Sequence, residues 1–209
     1  MNTSSPLFIT FEGIDGSGKS TQAKLLVAHL NQLTHKTILT REPGGSPGAE
    51  EIRALLVEGD PARWSPETEI LLFTAARRDH LEKTILPNLA AGAHVVSDRF
   101  ADSTRVYQGV ARADLRKTVD TLHSLMIGRE PDITFVVDMD PKAALARGLA
   151  RKSGEDRFEE FGLGFQQDLR KGFLELASDN PKRCILIDGN RDIRDVAAEI
   201  QKSMLTWLE

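Results

Sequence analysis

The eight residues from Gly13 to Ser20 constrain this chain more than any other stretch. They read GIDGSGKS and match the phosphate-binding pattern GxxxxGKS/T in full. An apolar run of strand length, Leu7 to Glu12, comes before them, and apolar residues at helical spacing follow between Thr21 and Leu33. A strand, a glycine-rich loop and a helix in this order predict a phosphate-binding loop, because a chance match would usually lack that context.

Each residue type in this loop suits a nucleotide phosphate. Glycines let the backbone N–H groups approach phosphate oxygens and permit positive φ, and the N-terminus of the next helix adds to the anion site. Lys19 is expected to bind the β- and γ-phosphates, and the Ser20 hydroxyl is expected to ligate Mg²⁺. The predicted nucleotide-binding residues of the loop are Gly13, Ile14, Asp15, Gly16, Ser17, Gly18, Lys19, Ser20 and Thr21.

Composition narrows the class of protein. The 209 residues, of which 40% are hydrophobic and 28% charged, suit one α/β domain spanning residues 1–209. The net charge of −4 provides no overall basic field for nucleic acid. Cys184, the only cysteine, lies in an apolar run and is expected to be a buried thiol. With no apolar stretch near ~18 residues and no signal-peptide features, we expect a cytoplasmic protein without membrane contact.

Short apolar strands alternate with helical patterns along the whole chain. After the first strand, further strands are predicted at 37–40, 94–98, 133–138 and 184–188. Helices are predicted at about 49–58, from Ser65-Pro66-Glu67 with a kink or restart at Pro87, at 114–126, from Asp140-Pro141, at 158–178 and from about Asp192. This alternation predicts an α/β fold with one doubly covered parallel sheet.

The last helix is expected to bury a face made of Ile193, Val196, Ala197, Ile200 and Met204. Residues 102–109, after the third strand, are polar and are expected to form a loop.

Polar residues follow the predicted strands where ligands bind in open α/β sheets, at the carboxyl ends. Arg41 to Gly48 follows the second strand, and Asp98-Arg99 ends the third. Asp98 is a candidate for Mg²⁺ or its water shell, and Arg99 can hold a phosphate, although a surface ion pair is the alternative.

The basic residues that follow the fourth strand leave two interpretations open. Arg147, Arg151, Lys152 and Arg157 form either a solvated helix end or a mobile lid that neutralises a transferring phosphoryl group. Pattern alone favours a core aromatic at Phe73 beside two solvated arginines, Arg77 and Arg78.

Taken together, the motifs resemble the bacterial form of thymidylate kinase over essentially the whole chain. The resemblance rests on FEGIDGSGKST, TREPGG (Thr40 to Gly45), LLFTAARRDHL (Leu71 to Leu81), SDRFADSTRVYQG (Ser97 to Gly109) and ARGLARKSGEDRFE (Ala146 to Glu159). The combination of TREPGG, DRF and STxxYQG is far more specific than the phosphate loop alone. It implies a three-layer P-loop NTPase fold with a five-stranded parallel sheet covered by helices on both faces.

The resemblance also implies a reaction and a set of site residues. The reaction is transfer of the γ-phosphoryl group of ATP to dTMP with Mg²⁺, giving dTDP and ADP. Asp15 would bind the deoxyribose 3′-OH, and Arg99 and Arg41 would hold the acceptor phosphate, with Asp98 close by. The remaining implied acceptor residues are Glu42, Pro43, Phe73 stacking on thymine, Arg77 on a base carbonyl, Ser103, Thr104 and Gln108 lining the pocket, and Tyr107 excluding a ribose 2′-OH.

Three further implications concern the lid, the adenine site and assembly. Gly16 follows Asp15, so the basic residue that one subclass carries in its phosphate loop is absent, and lid arginines would substitute for it: Arg151 first and Arg147 second. The segment Lys152 to Glu155 is less basic than the family's usual lid, which spans about 146–158 here. Asn190 and Arg191 lie where the family holds adenine, and the family is usually a homodimer packed through helices such as those beginning near Glu67 and Asp114.

Other functions compete with this interpretation. A P-loop kinase could act on another nucleotide or a deoxynucleoside. A nucleotide-dependent switch would carry a guanine-reading NKxD motif, which the sequence lacks. A catalytically inactive nucleotide-binding module is disfavoured by Lys19, Ser20, Asp98 and Arg99 together.

Overall fold

A computed structural model of the protein describes residues 5–60, 63–111, 114–150 and 161–208. Five parallel strands form one sheet in the order β2-β3-β1-β4-β5. The strands are β1 (Phe8–Glu12), β2 (Thr37–Arg41), β3 (His94–Asp98), β4 (Ile133–Asp138) and β5 (Cys184–Asp188). The predicted α/β sheet is confirmed, and β3, β4 and β5 begin and end at the predicted residues.

Helices connect these strands. They are α1 (Lys19–Gln32), α2 (Pro47–Val57), α3 (Pro66–His80), α4 (Leu86–Ala90), α5 (Ala101–Val106), α6 (Arg116–Met126), α7 (Pro141–Ala150), α8 (Gly162–Asp179) and α9 (Ile193–Leu208). A π-helical turn at Leu81–Ile85 joins α3 to α4, and a second at Tyr107–Ala111 follows α5. None of the helices in the described part of the chain is long and apolar enough to cross a membrane.

Helices cover both faces of the sheet, because successive strand side chains point to opposite sides. On one face, α1 and α9 pack against Ile9, Phe11 and their neighbours. On the other, the two core clusters contain Phe8 with the Leu81–Ile85 turn, and Val136 with α8. Every residue of β1 and every residue of β4 except Asp138 is buried, which is why these strands are rich in apolar residues.

The position of β1 explains where a site can form. β1 lies in the middle of the sheet, between β3 and β4. The loop that leaves its carboxyl end is therefore flanked by the loops that leave β3 and β4. The Arg99 amide also donates to Phe11 O at 2.9 Å, which ties the residue after β3 to β1.

The sequence prediction of a loop at 102–109 is wrong, because this segment is helical in α5 and the following π-helical turn. Asp102 is buried there and accepts from Arg105 at 2.7 Å and Arg183 at 2.6 Å. Its pKa lies below the usual value, because these two arginines outweigh the opposing effect of burial. Polar side chains can occupy this buried helix because tertiary ion pairs satisfy them.

The kink or restart expected at Pro87 is confirmed, because α4 begins at Leu86 with Pro87 in its first turn, directly after the π-helical turn at Leu81–Ile85. A proline ring clashes with the carbonyl four residues before it, and a wider turn relieves that clash. Ile193 is exposed, while Val196, Ala197, Ile200 and Met204 are buried as predicted. The prediction that Ile193 is buried is therefore wrong, because Ile193 begins α9 and lines a cavity together with residues of the loop after β1, where the core does not reach it.

Three local predictions are confirmed. Ser65 caps α3, and its side chain accepts from the Thr68 amide at 3.2 Å. The Asp140 carboxylate accepts from the Ala143 amide in the first turn of α7. Cys184 is buried, and burial raises the pKa of its thiol to about 12. The predicted helix start at 158 lies outside the described residues.

Candidate active site

The loop between β1 and α1 depends on its glycines for backbone reasons as well as for phosphate access. Gly16 has φ 83°, and a Cβ there would lie 1.9 Å from the Ala144 carbonyl oxygen on α7. Gly18, at φ 99°, has open space around the position of a Cβ. Gly16 is therefore required by the approach of α7, whereas Gly18 leaves the helix N-terminus accessible to an anion.

Lys19 is buried at the start of α1, with its Nζ donating to the Ile14 carbonyl at 2.7 Å. Burial, followed by repulsion from Arg99, lowers the pKa of Lys19 to about 8. A polyphosphate would offset both effects, because it brings negative charge to the same place.

Ser20 and Asp98 lie side by side across this loop, and the Ser20 hydroxyl donates to the Asp98 carboxylate. A hydroxyl and one carboxylate fit Mg²⁺, which keeps several waters and uses few protein ligands beside substrate phosphates. Among the described residues no group of three or more His, Cys, Asp or Glu side chains could form an all-protein metal cage. The available ligands therefore suit an ion held jointly with a nucleotide.

A cavity of about 460 Å³ opens over the phosphate loop. It is lined mainly by the loop and by cationic side chains, a combination that suits a polyphosphate. The predicted site residues in its wall are Asp15, Gly16, Ser17, Gly18, Lys19, Ser20, Thr21, Arg41, Glu42, Asp98, Arg99, Arg147 and Arg191. Gly13 and Ile14 lie beneath it, where their carbonyl oxygens accept from Arg99 and Lys19.

A second, smaller cavity of about 130 Å³ lies between α3 and α5. It contains both aromatic and polar groups, which suits a planar ligand with hydrogen-bonding edges. The predicted site residues in its wall are Asp15, Glu42, Pro43, Phe73, Arg77, Arg99, Ser103, Thr104, Tyr107 and Gln108. Asp15, Glu42 and Arg99 line both cavities, so the two adjoin at these residues.

Arg99, Asp15 and Tyr107 form a hydrogen-bonded group where the cavities meet. Arg99 makes an ion pair with Asp15, and the Tyr107 hydroxyl donates to the other Asp15 oxygen at 2.7 Å. Burial alone would raise the pKa of Asp15, but Arg99 and then Lys19 outweigh it and lower the pKa to about 2. Arg99 itself has φ 72°, an uncommon backbone conformation for a residue with a side chain.

Arg77 is buried rather than solvated, so the pattern-based interpretation is wrong at this position. Its Nε donates to Glu42 at 2.7 Å, and its Nη2 donates to Thr104 Oγ1 at 3.0 Å. His80 completes the group, with Nδ1 3.0 Å from the second Glu42 oxygen. Arg78 is half exposed and pairs with Glu82, as the solvated interpretation expects.

The other predicted site residues differ in whether they line the larger cavity. Arg147 reaches the larger cavity from α7, with Nη1 3.4 Å from Met139 Sδ. Arg151 and the rest of the lid prediction up to 158 lie outside the described residues. Arg191 lines the larger cavity and pairs with Glu199. Asn190 does not line it, and its Oδ1 accepts from the Asp140 amide at 2.9 Å.

Sequence reasoning missed several residues that shape the cleft. Arg53 lines both cavities from α2, although its helical neighbourhood gave no sign of this. Glu69 is buried and accepts from the Gln108 side chain at 2.9 Å. Glu12 is fully buried at the end of β1, and an acid that ends a buried strand beside a phosphate loop could have been recognised as unusual.

Comparisons with known proteins show to which family the chain belongs. The family model described as thymidylate kinase matches residues 11–200. A thymidylate kinase from Dinoroseobacter shibae is 71% identical over 192 residues, covering 92% of this chain and 93% of the relative. One from Ruegeria pomeroyi is 64% identical and covers 97% and 96%. The crystal structure of thymidylate kinase from Ehrlichia chaffeensis matches with a TM-score of 0.79 and 37% identity, covering 96% of this chain and 99% of that one.

Proposed function

The chain belongs to the thymidylate kinase family and phosphorylates dTMP, and on that premise we propose that the larger cavity holds ATP with Mg²⁺ and that the smaller cavity holds dTMP. The observation that carries the proposal is the meeting of these cavities at Asp15 and Arg99. A donor phosphate on the loop and an acceptor phosphate at Arg99 would face each other across this junction. Transfer requires such an in-line approach.

On the donor side, Lys19 and the loop amides hold the β- and γ-phosphates of ATP. Ser20 and Asp98 hold Mg²⁺, which neutralises charge developing on the phosphate oxygens when it is bound. Arg191 accommodates adenine from the wall of the larger cavity, and Asn190 holds the adjoining loop through its hydrogen bond with the Asp140 amide. Support comes from the burial of Lys19 under the cavity and from the contact between Ser20 and Asp98.

On the acceptor side, Arg99 and Arg41 hold the dTMP phosphate while the smaller cavity holds the base. Phe73 stacks on thymine and Arg77 donates to a base carbonyl, with Pro43, Ser103, Thr104 and Gln108 around them. Arg77 suits this role because three of its hydrogen bonds are already fixed, and its Nη1 makes none within the described residues. A donor held in this way favours a base edge that carries a carbonyl over one that carries an amino group.

Near the sugar, Asp15 accepts from the 3′-OH and Tyr107 occupies the space that a 2′-OH would need. The hydrogen bond from Tyr107 to Asp15 supports both roles, because it fixes the ring and the carboxylate relative to each other. During transfer, an arginine of the 146–158 lid stabilises the charge on the moving phosphoryl group, with Arg151 proposed first and Arg147 second.

The single kinase domain comprises residues 1–209, acts in the cytoplasm and forms a homodimer. The dimer proposal rests on apolar side chains exposed on α3 and α6. Leu71 is 59% exposed and Leu125 is 72% exposed, and a second copy packed through these helices would cover them.

A steady-state assay that couples ADP release to an optical signal tests the proposed substrate assignment. We expect dTMP to give the highest kcat/KM in a panel with dCMP, dAMP, dGMP and thymidine. Arg77→Ala should lower kcat/KM for dTMP, whereas Arg78→Ala, the neighbouring half-exposed arginine, should change it little. A higher kcat/KM for another monophosphate or for thymidine would replace dTMP as the acceptor and support the other kinase interpretation.

A further inference from the structure

Glu12 is a buried acid that the proposed reaction does not use directly. It is the last residue of β1 and precedes Gly13, the first residue of the phosphate loop. It lies on the same sheet face as Phe8 and Thr10. On that face Phe100 and Ala101, from the segment after Arg99, pack with Phe8, so Glu12 faces this segment.

The Glu12 carboxylate binds three donors of that segment. Oε1 accepts from the Phe100 amide at 2.7 Å and from the Ser103 amide at 3.3 Å, and Oε2 accepts from the Ser103 hydroxyl at 2.6 Å. Within the described part of the chain the carboxylate forms no ion pair, and these three donors are its partners. A buried carboxylate without a paired cation costs free energy, so simple packing does not account for an acid here.

Ser103 connects Glu12 to Arg99 through two hydrogen bonds. The Ser103 hydroxyl donates to Glu12 and accepts from Arg99 Nη1 at 2.9 Å. Arg99 Nη1 also lies 3.3 Å from the Gly13 carbonyl oxygen, next to Glu12 in the chain. The guanidinium is therefore held from two sides, through Ser103 and through the phosphate loop.

The backbone of Arg99 needs such a restraint. Its φ of 72° lies in the left-handed region, which a residue with a Cβ adopts only when its surroundings impose it. The Arg99 amide is bonded to Phe11 O, and the next amide, that of Phe100, is bonded to Glu12. The two hydrogen bonds fix the peptide units on both sides of the strained residue.

We propose that Glu12 is a positioning residue for phosphoryl transfer: its carboxylate holds the segment Arg99–Ser103 so that the Arg99 guanidinium faces Asp15 and the phosphate loop. This inference rests on the proposed function, in which Arg99 holds the acceptor phosphate. Glu12 itself touches neither substrate.

The electrostatic environment of Glu12 adds a pH dependence to this role. Burial, and then repulsion from Asp102, raises the pKa of Glu12 to about 7, against the opposing effect of Arg99. A protonated carboxyl cannot accept three hydrogen bonds in the same way, so the restraint weakens as the pH falls through about 7. The charged and titratable groups that face Glu12 are Asp102 on α5, Arg99 after β3, Lys19 on α1 and Cys184 on β5.

Glu12→Gln is the sharpest test, because it keeps the shape and one acceptor oxygen but opposes an N–H₂ group to one of the three donors. We expect kcat for dTMP phosphorylation to fall about 10- to 100-fold, the scale of a misplaced reacting group, with KM for ATP little changed. The part of the wild-type decline of kcat below pH 7 that comes from Glu12 should be absent in this variant, so the acid limb of its pH profile should be shallower. Titration of the dTMP phosphate is common to both proteins and cancels in the comparison.

Asp132→Asn is the matched control, because Asp132 Oδ2 accepts from the Phe8 amide at the opposite end of the same strand. It should lower the melting temperature while leaving kcat and the pH profile unchanged. Ser103→Ala breaks the same hydrogen-bonded link between Glu12 and Arg99. The double variant with Glu12→Gln should therefore lose no more kcat than the more impaired of the two single variants. If Glu12→Gln does not fold, Ser103→Ala must show the kcat loss by itself.

Wild-type kcat and an unchanged acid limb in folded Glu12→Gln would reduce Glu12 to a structural residue and overturn the inference. Failure of the proposed function looks different, because wild-type protein would then show no dTMP-dependent ADP release.

Discussion

The hydroxyl of Tyr107 donates a 2.7 Å hydrogen bond to Oδ2 of Asp15. This bond connects the residue proposed to exclude a ribose 2′-OH with the residue proposed to accept the 3′-OH. It also crosses from the segment after β3 to the phosphate loop. In the proposed function, selection of the sugar and alignment of the phosphates would therefore depend on the same small group of side chains.

Trimming Tyr107 should weaken the discrimination against ribonucleotides. In Tyr107→Ala we expect the ratio of kcat/KM for dTMP to that for the ribonucleotide to shrink by about 1–3 kcal/mol, the scale of a small-group discrimination. Tyr107→Phe keeps the ring, so it should change the ratio far less, but it removes the bond to Asp15 and should raise KM for dTMP. An unchanged ratio in the alanine variant would place the selection elsewhere, with Asp15 the next residue to test.

Removing the Lys19 charge should abolish most of the activity without unfolding the protein. Lys19→Ala leaves the charge on the transferring phosphoryl group uncompensated, so we expect kcat to fall by about 10²-fold or more. Thermal unfolding should remain cooperative, because the one hydrogen bond that Nζ makes among the described residues is to the Ile14 carbonyl. ATP turnover close to wild type would remove the phosphate loop from the mechanism.

A lid arginine should contribute to kcat rather than to dTMP binding. We expect Arg151→Ala to lower kcat by roughly 10²-fold while changing dTMP affinity little, as for other charge-stabilising groups. Arg147, which reaches the phosphate-loop cavity from α7, is the matched comparison. A larger loss in Arg147→Ala would reverse the assignment, and normal kcat in both variants would exclude the lid from the chemistry.

His94 should make the folded state less stable in acid. Its Nδ1 accepts from the Leu7 amide at 2.9 Å, and burial followed by repulsion from His35 lowers the pKa of His94 below 6.5. The unfolded chain then binds more protons than the folded one, so stability present above pH 6.5 is lost as the pH falls below it.

Asn can accept from the Leu7 amide without titrating, so His94→Asn should reduce the pH dependence of the unfolding free energy by about 1 kcal/mol, the net value of one hydrogen bond. Urea denaturation at pH 7.5 and 5.5 measures this difference. The same pH dependence in both proteins would show that His94 does not control acid stability.

The strands could be predicted from sequence because a strand that is buried on both faces consists mostly of apolar residues. β3, β4 and β5 are short apolar runs bounded by polar or turn residues, and their limits follow directly. The phosphate loop was recognisable for a similar reason, since its function depends on local backbone shape. The segment at 102–109 was not, because the partner that stabilises Asp102 in a helix is Arg183, which lies 81 residues away.

The acceptor side of the cleft shows the same limit. Arg77 looks like a surface arginine in its own helix, and its burial depends on Glu42, which lies 35 residues earlier. Glu12 looks like the end of a strand until the amides of Phe100 and Ser103 are placed against it. Residues whose role depends on distant partners were reached only through resemblance to a family, or were missed.

Following the γ-phosphate itself is the most direct test of the proposal that the two adjoining cavities together carry out the transfer. Wild-type protein, incubated with ATP labelled at the γ-phosphate, Mg²⁺ and dTMP, should place the label in dTDP, with little in inorganic phosphate. Lys19→Ala should lose this transfer. Label that accumulates as inorganic phosphate at the same rate with or without dTMP would mean that the phosphate loop hydrolyses nucleotide without using the neighbouring pocket, and would contradict the account.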